Sequence, residues 1–422
     1  MYRVVITGLG AVTPIGNDVS SFWKGLLAGK NGIDRISRFD VSQFKHQLAA
    51  EVKEFRPLDR LDKTTVRKTD LFVQYALWAA AEAMEDSGLE GAVAPEDLGV
   101  CFGSGIGGFE TFCQEHQALM EKGPRLVTPL FIPKMISNIA AGNIAIRYKA
   151  HGPCLSVTTA CASGSHSIGE AYRAIRHGYT KAVICGGSEA TINPLALAGF
   201  GNAMALSEAT DKNAASLPFD KRRSGFVMGE GAGALILEEY GHALKRGAPV
   251  YGEICGYGST CDAHHVTAPN PCVSASAKAV SDALKEAFPA PGQETPEAAA
   301  LQPEASRIYV NAHGTGTPMN DATETALLKA AFGPEAASRL HISSTKSMTG
   351  HMLGAAGAVE AIAALLALSQ GVVPPTINLL EPDPACDLHY TPGVPEQTPL
   401  DLALSVSLGF GGHNACLAFR KA

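Results

Sequence analysis

Thr158-Thr159-Ala160-Cys161-Ala162-Ser163-Gly164 sets a cysteine between an extended apolar segment, residues 153–157, and a helix-like segment, residues 164–177. A thiol at such a strand-to-helix turn lies at the positive end of the helix dipole. That field favours the thiolate, the nucleophilic form of cysteine. Backbone N–H groups in the same turn can hold an oxygen that becomes negative. Ala160, Ala162, Ser163 and Gly164 are small and leave room for a substrate. A lone cysteine is more often a packing residue, so Cys161 needs partners elsewhere in the chain to count as a nucleophile.

Two further motifs supply them. Asn311-Ala312-His313-Gly314-Thr315-Gly316-Thr317 follows the strand-like Ile308-Tyr309-Val310. Ser344-Thr345-Lys346-Ser347-Met348-Thr349-Gly350-His351 follows His341-Ile342. Each places a histidine where a strand runs into a glycine-containing loop, and the second adds Lys346. In alternating strand–helix proteins, ligands and chemistry collect beyond the carboxyl ends of strands. Cys161, His313 and His351 together suggest a thiol that carries an acyl group, with two imidazoles acting on a second substrate.

Outward from these motifs the chain alternates strand and helix, an α/β pattern. Strands are predicted at 3–12, 98–102, 181–185, 231–237, 308–310 and 341–343, with a final pair across 402–419. Helices are predicted at 72–86, amphipathic, and at 274–288, 321–332 and 354–368. Such alternation implies parallel sheets covered by helices. The two halves have similar order without a visible sequence repeat. They divide near residue 250: residues 1–250 carry Cys161, and 251–422 carry His313, His351 and Lys346. Residues 289–306, rich in Pro, Ala, Glu and Gln, read as a surface excursion.

Composition narrows the classes. Of 422 residues, 46% are hydrophobic and 18% charged, which predicts a packed core. No signal-peptide layout or membrane span is read, so a cytoplasmic protein is expected. The ten cysteines are scattered without C-x-x-C spacing and read as reduced thiols. Cys261, His264 and His265 lack a second ligand cluster, so no metal centre is expected. A net charge of −7 argues against nucleic-acid binding. Gly103-Ser104-Gly105-Ile106-Gly107-Gly108 satisfies G-x-G-x-x-G, but no strand ending in Asp or Glu follows, which weakens a dinucleotide reading. No G-x-S-x-G occurs, which weakens a serine hydrolase. A cysteine hydrolase built on Cys161 and His313 has no need of a second histidine or of Lys346.

The Cys161 turn, the His313 loop and the block from Ser344 to Glu360 resemble the β-ketoacyl-acyl carrier protein synthases of the thiolase superfamily, most closely the type II synthases of bacterial fatty acid synthesis. The likeness runs from Arg3-Val4-Val5-Ile6-Thr7-Gly8 to Gly409-Phe410-Gly411-Gly412-His413-Asn414. It implies a thiolase-like, duplicated α-β-α-β-α five-layer fold, a homodimer, no cofactor, and acyl carrier protein as partner. The implied reaction is a decarboxylating condensation of an acyl-Cys161 thioester with a malonyl thioester. His313 and His351 are then N–H donors to the enolate, Lys346 sets the electrostatics through Glu360, and the N–H groups of Cys161 and Phe410 hold the acyl oxyanion. Thr315, Thr317 and Thr267 match pantetheine-binding positions, and Ile106, Phe131 and Phe200 match acyl-pocket positions.

An acidic carrier protein meeting an acidic chain needs a local basic patch. Lys63, Arg67 and Lys68, spaced for one helix face, are the first candidates, and Lys221, Arg222 and Arg223 the second. The chain departs from the family pattern at His413, usually threonine, at Gly316, usually serine, at Leu217, usually arginine, and at Ser224, usually aspartate. These departures leave a specialised polyketide or polyene synthase as the alternative branch.

Overall fold

The computed structural model describes residues 1–288 and 303–422, so most of the 289–306 excursion lies outside the described residues. Ten strands carry the architecture: β1 (Val4–Val12), β2 (Leu98–Gly103), β3 (Cys154–Leu155), β4 (Ala182–Glu189), β5 (Gly231–Glu239), β6 (Gly252–Cys261), β7 (Ile308–Asn311), β8 (His341–Ser343), β9 (Leu402–Gly409) and β10 (His413–Arg420). The first five lie in the order β3-β2-β4-β5-β1 and the last five in the order β8-β7-β9-β10-β6. The order and the pairing directions are the same in both halves, a duplication the amino-acid sequence does not display. The halves join where Val4–Ile6 of β1 pairs antiparallel with Gly252–Ile254 of β6.

The sheet is mixed, which corrects the expectation of parallel sheets. β2 pairs parallel with β3 and β4, but β5 runs antiparallel to both β4 and β1. Strand–helix alternation does not reveal that β4 and β5 are joined by a long excursion which returns the chain in the opposite sense. The extended segment before Cys161 is also shorter than expected. Only Cys154 and Leu155 pair, at the exposed end of the sheet.

Five helices complete the layers: α1 (Leu71–Ser87), α2 (Ser163–Arg176), α3 (Ser274–Ala287), α4 (Pro318–Phe332) and α5 (Ala356–Gln370). α1 covers the outer face of the first half and α3 the outer face of the second, while α2 and α5 pack on each other between them. The result is α-β-α-β-α. Each outer helix approaches its strand through a matched pair of glycines. A Cβ on Gly8 or Gly10 would lie 2.2 or 1.9 Å from the carbonyl oxygens of Ala83 and Ala79. On Gly256 or Gly258 it would lie 2.0 or 1.8 Å from those of Ala283 and Ala279. Any side chain there would drive the helix off the sheet.

α1 is not amphipathic as predicted. Phe72 to Trp78 are buried without a break, covered by the sheet, by the Ile139–Tyr148 helix and by Phe55, which packs edge-on against Tyr75 and Trp78. One stretch among the described residues, Leu353–Gln370, is long and apolar enough to cross a membrane, and 89% of it is buried inside the fold as the central helix.

Candidate active site

Cys161 sits in a tight turn, Ala160–Ala162, that runs directly into α2. The turn is held by its own sequence. The Ser163 hydroxyl accepts from the Thr159 N–H (2.9 Å) and donates to the Ala160 carbonyl (2.7 Å). Ala160 is in the left-handed region, φ 51°, where an alanine is strained. The electrostatics correct the sequence expectation of a favoured thiolate. Burial pushes the thiol up to about 12, against the Lys346 charge and the Phe410 N–H, which pull it down. Desolvation of the anion outweighs the Lys346 charge and the Phe410 N–H, and the resting form is the thiol.

The His313 loop is anchored from α4. Glu324 accepts the backbone N–H groups of His313 (2.6 Å) and Gly314 (2.7 Å), and Asp321 accepts that of Gly316 (3.2 Å). Thr317 caps α4, and Pro318 opens it. The two imidazoles meet at right angles, ring centroids 5.3 Å apart. Burial, followed by the Lys346 charge, holds both well below the ordinary histidine value, so both are neutral. Lys346 lies behind them, ion-paired to Glu360 and 3.5 Å from His313 Nδ1. An ammonium donates only, so His313 accepts at Nδ1 and carries its proton on Nε2.

A cavity of about 520 Å³ brings Cys161, His313, His351 and Phe410 together. Thr267, Thr315, Thr317, Ile106 and Phe200 also line it. Lys346 and Glu360 do not. Glu360, grouped by sequence with the substrate-binding residues, is buried behind the cavity and reaches it only through Lys346. Phe131 is not on the cavity wall of this chain either. Its ring stands 6.4 Å from Phe112, on a short helix beyond the Ile106 loop. Phe410 occupies the turn between β9 and β10, where Gly411 and Gly412 have φ of 89° and 77°. The Gly411 N–H donates to the Val266 carbonyl (2.6 Å), which couples the Phe410 turn to the loop bearing Thr267.

Glu189 is the residue that sequence reasoning missed. It is fully buried at the end of β4 and accepts from the N–H groups of Gly105 (2.8 Å), Ile106 (3.3 Å) and Gly354 (3.0 Å) and from the Ser104 hydroxyl (3.2 Å). The glycine-rich loop thus wraps a carboxylate of its own chain rather than a pyrophosphate, and the dinucleotide reading falls. Glu324 was missed as well, although acidic residues in the first two turns of the helix after a glycine loop could have pointed to it.

Lys63, Arg67 and Lys68 are exposed on a one-and-a-half-turn helix, Lys63–Lys68, capped by Asp62, and none pairs with an acidic side chain among the described residues. Asp70, just past it, accepts from the Thr111 N–H (3.0 Å), which ties this helix to the one that begins three residues after Ile106. The second candidate patch is excluded. Lys221 pairs with Glu381 (2.6 Å), Arg222 with Asp220 (2.8 Å) and the buried Arg223 with Asp383 (2.5 Å), so that cluster is internally neutralised. Leu217 and Gly225, beside Ser224, flank Gly316 from two sides, so the Leu217, Ser224 and Gly316 departures occupy one small region. His413 lies beside His166, ring centroids 6.3 Å apart. His265 Nδ1 accepts from the N–H groups of Thr267 and Ala268 (both 3.1 Å), a turn-forming role.

The family model of the β-ketoacyl synthase N-terminal domain matches residues 1–243, and that of the C-terminal domain matches residues 251–380. Among known proteins, the 3-oxoacyl-[acyl-carrier-protein] synthase 2 of Synechocystis sp. is 48% identical over 421 residues, spanning 99% of this chain and 98% of that protein. Among solved structures, the ishigamide ketosynthase/chain length factor superposes with a TM-score of 0.90 at 34% identity, covering 100% of this chain and 99% of that one. A type II polyketide ketosynthase, solved in complex with its acyl carrier protein, gives a TM-score of 0.87 at 33% identity, covering 100% and 99%.

Proposed function

The chain belongs to the β-ketoacyl synthase family, and from that premise we propose how its residues share the reaction. The reaction is the decarboxylating condensation of fatty acid elongation. An acyl-enzyme thioester and malonyl-acyl carrier protein give 3-oxoacyl-acyl carrier protein and carbon dioxide. In the first half, the Cys161 sulfur attacks the thioester carbonyl of acyl-carrier protein. The carbon–sulfur bond to pantetheine breaks, and the thiol proton passes to the departing pantetheine sulfur. The acyl oxygen, negative in the transition state, is held by the N–H groups of Cys161 and Phe410. In the second half, malonyl-carrier protein loses carbon dioxide, and the enolate carbon attacks the acyl-Cys161 carbonyl. A carbon–carbon bond forms and the cysteine sulfur leaves.

The single observation that carries this reading is the meeting of the Cys161 thiol with two neutral imidazoles in one cavity. A developing enolate oxygen needs donors, and two N–H groups suit it. A cysteine hydrolase needs a histidine that becomes cationic as general base. Lys346 at Nδ1 opposes that charge at His313. Thr315, Thr317 and Thr267 receive the pantetheine arm, Ile106 and Phe200 border the acyl chain, and Phe410 gates it. The polyketide branch is less well supported, because identity to the 3-oxoacyl-[acyl-carrier-protein] synthase 2, 48%, exceeds identity to the type II polyketide ketosynthase, 33%, at similar coverage.

The carrier protein docks at Lys63, Arg67 and Lys68. The enzyme works as a cytoplasmic homodimer, and the exposed edge strand β3, with Leu155 facing solvent, is the surface on which we place the partner copy. Intact mass after incubation with acyl carrier proteins of graded chain length tests the reading. It expects one acyl group on Cys161, followed by its loss as 3-oxoacyl product when malonyl-carrier protein is added. Release of free fatty acid instead would replace it with the hydrolase.

A further inference from the structure

His341, His389 and Glu396 come together at the far edge of the second half, away from the catalytic cavity, which none of them lines. They arrive from separate segments. His341 opens β8, the edge strand. The His389 carbonyl accepts from the Ile342 N–H (3.2 Å), so the loop carrying it runs alongside β8. Glu396 lies in a two-residue strand paired with Val372–Val373 just after α5.

The hydrogen bonds around His341 fix its proton. Nε2 faces the Ser306 carbonyl at 3.2 Å, an atom that can only accept, with the Thr398 hydroxyl at 3.4 Å. Nε2 therefore carries the hydrogen, and in the neutral ring Nδ1 is a bare lone pair. That lone pair faces the Glu396 Oε2 at 3.2 Å, and an ionised carboxylate likewise has only lone pairs. The other carboxylate oxygen, Oε1, lies 2.6 Å from His389 Nε2. Two lone pairs aimed at each other are repulsive unless a cation lies between them. A metal-binding histidine whose other ring N–H is held by a backbone carbonyl has this arrangement. The donor atoms all lie within 4.8 Å of one another. A tetrahedral ion with bonds of about 2.0–2.2 Å holds its ligands roughly 3.3 Å apart, close to the Nδ1–Oε2 separation. The 2.6 Å contact between His389 Nε2 and Glu396 Oε1 is shorter than this and is a direct hydrogen bond, so that pair must part slightly to admit an ion. All three side chains are partly exposed and free to adjust, and a fourth position is left to water.

We propose that His341, His389 and Glu396 form a binding site for a divalent transition-metal ion of the zinc class. The ion ties the edge strand β8, which leads directly into Lys346, to the loop and the short strand packed beside it. Its two imidazoles and one carboxylate suit zinc, cobalt or nickel, whereas magnesium and calcium prefer all-oxygen sites.

The test is titration of the chelator-stripped full-length protein with cobalt(II), read by visible absorbance and calorimetry. One equivalent per chain is expected, with tetrahedral d–d bands and no thiolate-to-cobalt charge-transfer band. Zinc should displace the cobalt and raise the melting temperature. His341→Ala and Glu396→Gln should each abolish that equivalent, and Glu396→Gln preserves side-chain shape, so its folded state is checked by its own melting curve without metal. Uptake that survives both substitutions, or that shows thiolate charge transfer, would place the metal on cysteines and overturn the proposal. Absence of uptake would leave a proton as the bridging cation and overturn it as well.

Discussion

The side-chain nitrogen of Lys346 stands 3.5 Å from Nδ1 of His313, and only 1% of the lysine side chain reaches solvent. A buried ammonium in that place does two things to the imidazole. It takes Nδ1 as acceptor, which leaves the Nε2 hydrogen as the one donor the ring can offer. It also opposes a second proton on the ring, which keeps the donor neutral. Glu360 compensates the lysine charge from behind.

Cys161→Ala should abolish acyl transfer and condensation while leaving the fold unchanged, since a buried cysteine loses only its sulfur. Malonyl decarboxylation should persist, because the two histidines remain. Any 3-oxoacyl product from this variant would show that no covalent acyl-cysteine is required.

His313→Ala or His351→Ala should leave Cys161 acylation largely intact and slow carbon dioxide release. Loss of one donor to a developing oxyanion costs about 10²–10³ in rate. Acylation followed by mass and decarboxylation followed by trapped carbon dioxide separate the two steps. Failure of loading itself would assign that histidine as the base for Cys161.

The pH dependence follows from the two depressed imidazoles. Burial, then the Lys346 charge, lowers both, so the neutral form extends to lower pH than for an ordinary histidine, which is half protonated near pH 6.5. Decarboxylation by the Cys161→Ala protein should therefore stay level as pH falls from about 8 through 6.5. An inflection near the ordinary histidine value would mean that the imidazoles are better solvated than the structure places them.

Glu360→Gln removes one partner of a buried ion pair and leaves the Lys346 charge unpaired. Breaking such a pair costs about 3–5 kcal/mol, read as a lower denaturant midpoint. The loss should shrink in the double variant Glu360→Gln/Lys346→Met, which removes the stranded charge. Equal destabilisation in both would mean that Glu360 acts through packing rather than through Lys346.

Reversing charge at Arg67 and Lys68 should raise the KM for carrier-bound substrate and flatten its salt dependence, since attraction of this kind is screened over about 8 Å at physiological salt. Turnover of a small acyl-pantetheine mimic should barely change. Equal losses on both substrates would remove these residues from docking.

The chemistry was legible in the chain because it is carried by short, contiguous motifs. Cys161, His313 and His351 each sit in a loop whose residue types are set by local turn geometry, so a reader of the sequence meets nucleophile, donors and flexible backbone together. Pocket walls are a weaker signal. Ile106 and Phe200 line the cavity but Phe131 does not, and nothing local distinguishes an apolar side chain that faces a ligand from one that faces a neighbour. The Lys221, Arg222 and Arg223 run failed for a related reason, since their neutralising partners Glu381, Asp220 and Asp383 include residues some 160 positions away.

By itself the sequence determined the alternation of strand and helix and brought Cys161, His313 and His351 forward as candidates, because periodicity and turn composition are properties of neighbouring residues. Tertiary structure alone decided the rest. It set the antiparallel pairing of β5 with β1 and β4, which depends on where a distant strand returns. It set the protonation of Cys161, where burial outweighs the Lys346 charge and the Phe410 N–H. It made Glu189 the centre of the glycine-rich loop, because a carboxylate more than eighty residues along the chain reaches Gly105 only through the folded sheet. Pairing direction, desolvation and buried charge are sums over long-range neighbours, and no window of sequence contains them.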